Sequence, residues 1–184
     1  MAASSRYRRL GRSLTQLRRD YLGFAPRLAG NYTRRQLSLA AAYTVFAHGE
    51  FEDFIEEWAT DILNKFDNRG HGYGASPMLV HLHLYRSAVA MPAQIPTANN
   101  WQTTFSAAIA SHRAVINNNH GIREAHICRL LIPLGFDVAG IDVVLRGDLD
   151  AFASIRGNHA HHSTLAHLGQ QFDPFDRLAK VNNI

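Results

Sequence analysis

The stretch SIRGNHAHHS, residues 154–163, gathers one arginine and three histidines without a carboxylate or a thiol. Two chemistries suit such residues. Imidazoles ligate zinc, and His159, His161, His162 and His167 are dense enough to raise that reading. Ligands on one helix share a face at i, i+3 or i, i+4, whereas His162 and His167 stand five apart with no cysteine or carboxylate between them. No metal or other cofactor is therefore expected. The second chemistry is phosphodiester cleavage by Arg156 and His161. A guanidinium holds two phosphate oxygens and stays charged throughout, and an imidazole moves protons near neutral pH. The pair alone carries little weight, because similar spacings recur at 156 with 162 and at 113 with 120. Histidines on a helix surface or satisfied in a core are the plain alternative.

Geometry adds a constraint. Five helical residues turn the chain by about 140°, so Arg156 and His161 on one straight helix point apart. Gly157 and Asn158 are poor helix-interior residues and offer a bend between them. Two copies facing each other across a two-fold axis offer another solution, with Arg156 of one protomer approaching His161 of its partner. His159, three residues from Arg156, is the first auxiliary candidate, with Asn158 and His162 beside it. Upstream, Glu52 stands next to Phe51 on the apolar side of an amphipathic segment, where a buried carboxylate needs a partner. It reads equally as a solvated acid in the run EFEDFIEE.

The chain that must position these groups has 184 residues, 46% of them hydrophobic, enough for one ordinary core. A single cysteine, Cys128, leaves no intramolecular disulfide and no cysteine-based zinc site. No window reaches the roughly 18 apolar residues of a membrane span, and no apolar signal core opens the sequence. A cytoplasmic protein without membrane association is expected. The net charge of +4 is uneven: residues 1–35 hold nine arginines against the single acid Asp20. Within this basic arm Arg6, Arg8, Arg9, Arg12, Arg18 and Arg19 are the candidates for holding an anionic polymer such as RNA. A solvated basic surface or an organellar targeting segment would look similar.

Apolar spacing predicts an all-α bundle of five or six helices. A short helix over residues 13–22 lies in the arm, residues 1–30. In the remaining domain, 31–184, a long helix starts near Asn31 or Thr33 and reaches Phe66. Leu37, Ala41, Val45, Phe51, Ile55, Trp58, Ile62 and Phe66 form its expected apolar face. Further helices are expected over 76–90, over 101–118, and from Ile122 to the stop at Pro133 and Gly135. The last expected helix runs from about Val143 to Leu168, with Leu145, Leu149, Phe152 and Ile155 on one face. The turn residues Asn117 to His120 would cap the helix that follows them or line a cleft. No alternating strand pattern occurs.

The runs NNNHGIREAHICRLLIPLGFD and LDAFASIRGNHAHHS together resemble the C-terminal half of HEPN domains, in particular the RiboL-PSP-HEPN group. The segment VFAHGEFEDFIEEWA resembles that family's long helix with its Phe-Glu pair, here Phe51 and Glu52. The likeness spans residues 31–172 and leaves the first 30 residues outside it. It implies a helical homodimer in which Arg156 and His161 of both protomers meet in one cleft and cleave RNA without metal. Glu52 would orient Arg156 or a histidine of the motif. The resemblance also implies a role in toxin or anti-phage and stress responses, where an antitoxin or other partner protein would be in keeping. Some HEPN domains only bind RNA or a partner, so the rival expectation is a non-catalytic module.

Overall fold

Ser4 opens the first element, its hydroxyl accepting from the Tyr7 N–H at 3.1 Å, and α1 follows over Ser5–Tyr21. In the computed structural model residues 4–27, 31–68, 82, 101–161 and 173–184 are described, with the side chains of 68, 101–105, 158–161 and 183 outside that description. The helix begins earlier than the expected Ser13 because arginines are good helix formers once a cap is supplied. Thr33 and Gln36 start α2 (Arg34–Asn68) with a reciprocal pair: Thr33 N–H donates to Gln36 Oε1 at 2.9 Å, and Gln36 N–H to Thr33 Oγ1 at 3.3 Å.

Four more helices follow: α3 (Trp101–Asn117), α4 (Glu124–Leu131), α5 (Val143–His161) and α6 (Pro174–Asn183). Two single 3-10 turns, Ile132–Leu134 and Val138–Gly140, fill the connection between α4 and α5. Gly135 stops the first of them in the left-handed conformation, φ 83°, with its N–H on the Ile132 carbonyl. The chain is all-α, with six α-helices and no strand among the described residues. Of the helix expected over 76–90 Leu82 alone is described, helical and buried, and the extension of α5 to Leu168 lies outside the described residues. By contrast α6 was not expected. Asp173 caps it by accepting from Phe175 N–H at 2.9 Å, and Pro174 occupies its first turn.

The chain divides into two compact units, Met1–Phe54 with Gly121–Glu124 and Asp142–Ile184, and Ile55–His120 with Ala125–Ile141. In the first, α2 contributes Ala40, Tyr43, Thr44, Ala47, His48 and Phe51 to the core. This is not the expected face, since Leu37, Ala41 and Val45 are only half-buried. Two alanines, Thr44 and His48 join Tyr43 and Phe51 in the buried stripe instead. Thr44 tolerates burial because its hydroxyl donates to the Ala40 carbonyl at 3.0 Å within the helix. Tyr32 ties the segment before α2 to the segment before α6: its hydroxyl accepts from Arg27 N–H at 2.9 Å. That group's one proton is shared between the Arg27 carbonyl at 3.0 Å and Asp173 Oδ1 at 3.1 Å.

The second unit packs Ala59 and Leu63 of α2 with Ile109 and Ile116 of α3 and Ile127 and Leu130 of α4 in its core. Trp58 meets Phe136 edge to face with centroids 4.9 Å apart. His112 is buried beside Leu130, whose carbonyl takes its Nε2–H at 3.0 Å. Burial lowers the His112 pKa, with the carbonyl contact opposing. Arg113 binds Asn64 Oδ1 at 2.9 Å and Asp67 Oδ2 at 3.2 Å.

Candidate functional site

Helix α5 carries the arginine–histidine motif, and its register determines what each position faces. Leu149, Phe152 and Ala153 are buried on it at i, i+3 and i+4. Arg156 comes next on that stripe, at i+7 from Leu149, and is half-buried. Its Nε is closed off from solvent and has no hydrogen-bond partner among the described residues. A cation placed on a core-facing stripe without a carboxylate is unusual, because desolvating a charge is costly unless something compensates it.

The other flank of α5 is fixed by polar contacts at a four-residue repeat. Asp150 accepts from the Glu124 N–H at 2.8 Å, and Arg146 pairs with the Glu124 carboxylate. Arg123 reaches Ser154 Oγ at 3.4 Å. The first N–H of α4 is therefore held by Asp150, not by the turn Asn117 to His120 expected to cap it. That turn closes the preceding helix instead: Asn118 donates to the Ala114 carbonyl at 2.8 Å. Asn119, buried, donates to Glu56 Oε1 at 2.9 Å, and His120 is exposed.

Gly157 and Asn158 do not interrupt α5, whose helix runs through them to His161. The expected bend between Arg156 and His161 is thus absent. The continuous packed stripe outweighs the roughly 1 kcal/mol that a helical glycine costs relative to alanine. Position 161 follows Ser154 by seven residues and Gly147 by fourteen, and both of those are exposed. Arg156 and position 161 therefore fall on different faces of one helix. The histidine side chains at 159 and 161, the Asn158 side chain and all of His162 lie outside the described residues.

Beneath Arg156, one turn back, Phe152 meets Phe51 edge to face with centroids 6.0 Å apart and His48 at 6.1 Å. His48 is buried and its Nδ1 stands 3.7 Å from Glu52 Oε2, one turn along α2. Glu52 is half-buried, and among the described residues no hydrogen bond or ion pair joins it to Arg156. The sequence offered no pointer to His48, whose burial follows from its place between Thr44 and Phe51 on the inner stripe. Among the described residues no group of three or more His, Cys, Asp or Glu gathers as a metal site.

The basic residues of α1 separate into two sets. Arg8, Arg12 and Arg19 are exposed along one side with Ser5, Thr15 and Gln16, and no acid occupies the first turn. Asp20, the one carboxylate of this helix, accepts from Gln16 Nε2 at 2.8 Å. Arg6 is half-buried and Arg9 exposed, while Arg18 borders a cavity on another side of the helix. No helix among the described residues is long and apolar enough to cross a membrane. Set against protein-family models, curated proteins and solved structures, the chain matches none.

Proposed function

We propose that this chain is a metal-independent endoribonuclease of the HEPN type, working as a homodimer in a toxin, anti-phage or stress response. The observation that supports it best is Arg156: a half-buried guanidinium on the inner stripe of α5, with no carboxylate to neutralise it among the described residues. A phosphate would supply the missing anion, and its oxygens would take the guanidinium bidentately. The different faces of Arg156 and position 161 on an unbroken helix favour a site assembled from two protomers over a site within one. In that site His161 takes the 2′-hydroxyl proton or protonates the leaving 5′-oxygen. Arg156 balances the charge that builds on phosphorus. His159, Asn158 and His162, neighbours of the pair in sequence, are auxiliary groups, and Glu52 with His48 supports the aromatic base of the helix.

The exposed row of Arg8, Arg12 and Arg19 favours a second reading, a HEPN-like module that binds RNA without cutting it. One experiment separates the two. Purified protein is incubated with mixed RNA in EDTA beside the His161→Ala variant, and the ends are analysed. Cleavage by the parent alone, leaving 2′,3′-cyclic phosphate and 5′-hydroxyl ends, is the expected result. Intact RNA that is nonetheless retained by the protein assigns the binding role. Cleavage that EDTA abolishes and a divalent ion restores overturns the metal-free mechanism.

A further inference from the structure

Within the first unit, α1, α2 and α6 line a half-open cavity of about 260 Å³ that the arginine–histidine motif does not use. Its walls are apolar where Leu10 and Leu14 of α1 face Leu178 and Val181 of α6. Polar side chains share the lining, Tyr7, Thr15 and Asn182 among them, and two further ones border the same space. Tyr43, only 1% exposed, borders the cavity, and its hydroxyl has no hydrogen-bond partner among the described residues. The hydroxyl is not one of the polar atoms closed off from solvent, so it is reachable from the cavity. Arg18 borders the same space, and its side chain makes no hydrogen bond or ion pair among the described residues. The two groups sense each other: burial pushes the Tyr43 hydroxyl up to about 12, and the Arg18 charge opposes the rise.

We infer that this cavity is a binding site for a small monocarboxylate with an apolar body, such as a medium-chain fatty acid. The carboxylate accepts a hydrogen bond from the Tyr43 hydroxyl and pairs with Arg18, while the chain lies between the leucines of α1 and α6. An uncharged ligand would leave Arg18 unused, and a phosphodiester would bring a polar backbone against apolar walls. The volume falls just below the roughly 300–1,000 Å³ of pockets for drug-sized ligands, which suits a body of this length. Gly11 also borders the cavity, and a Cβ added there meets nothing within 4 Å, so a longer side chain at that position fills the space without a clash.

Octanoate, titrated into the full chain by calorimetry, tests the site, with octanol as the uncharged probe. Saturable one-to-one binding of octanoate, about tenfold tighter than octanol, is expected. Arg18→Gln is expected to bring octanoate down to the level of octanol, and Tyr43→Phe to weaken it severalfold. Gly11→Met, which favours the helix and occupies the cavity, is expected to abolish binding while circular dichroism stays unchanged. Absence of saturable binding to the folded parent overturns the inference. So does an affinity that stays within about twofold across all three variants, since octanoate would then be bound elsewhere.

Discussion

Arg113 and Arg156 each precede a histidine by a spacing compatible with phosphodiester chemistry, and the fold gives the two cations opposite surroundings. Arg113 is 41% exposed and already committed to Asn64 and Asp67, and its histidine, His120, stands in the turn beyond the end of α3. Arg156 lies on the inner stripe of a helix with an Nε that nothing described neutralises, and position 161 belongs to that same helix. Spacing alone therefore selects both pairs, whereas the partners of each arginine select one. A guanidinium that already holds a carboxylate has little to offer a phosphate; one without an anion among the described residues keeps its terminal nitrogens to offer.

The largest expected effect that would sharpen this contrast is on cleavage by His161→Ala, a fall of about a hundred- to ten-thousand-fold, with His120→Ala unchanged within error. Equal losses from both variants would erase the distinction. Arg156→Ala is expected to slow the chemical step by about 2.7–4 kcal/mol in activation free energy while RNA binding weakens less. For Arg113→Ala the expected outcome is full activity and a stability loss of about 0–1 kcal/mol, the ordinary worth of an exposed pair, read by urea denaturation.

A pH series separates stability from chemistry in the same region of sequence. His112, next to Arg113, has its pKa lowered by burial, so the unfolded chain takes up its proton first as pH falls. The contribution is fully present above the unfolded pKa of about 6.5 and is lost below it, with a slope of at most about 1.4 kcal/mol per pH unit. His112→Gln, which keeps an N–H for the Leu130 carbonyl, is expected to flatten that slope in denaturation midpoints measured from pH 7.5 to 5. The smallest effect concerns α1. Replacing Arg8, Arg12 and Arg19 with glutamine together is expected to lower the slope of log affinity against log salt for single-stranded RNA by about 2, at about 0.7 per phosphate contact. Single-turnover cleavage at saturating protein stays the same. A slope that does not move removes this row from RNA binding.

Much of the fold was legible in the sequence for definite reasons. Helices α2, α3 and α5 carry apolar residues at helical spacing over long runs, and Pro133 with Gly135 marks the end of α4 and its 3-10 extension. The stripe of α2 was misread because hydrophobicity overlooks alanine, threonine and histidine, although small or internally bonded side chains let helices approach closely. The start of α1 was missed because arginines give no apolar period, and only Ser4 marks it. The whole of α6 escaped, although Asp173 followed by Pro174 is a helix-start signal in plain view. At the candidate site the motif itself was visible, and so was the five-residue difficulty. Invisible were the hold of Asp150 on α4 and, among the described residues, the lack of an anion at Arg156 and of a partner for the Tyr43 hydroxyl, because each depends on residues far apart in the chain.

The bond between Tyr32 and Asp173 joins groups 141 residues apart. Chains emerge from the ribosome at about 5–20 residues per second, so roughly seven to thirty seconds separate the appearance of these two partners. During that interval α1 and the first half of α2 exist without α6, and the faces bearing Leu10, Leu14 and Tyr43 stay uncovered. Contacts this distant form slowly even in the finished chain, because loop closure precedes any gain. The first unit is thus a structure whose earliest-made helices are the last to be sealed.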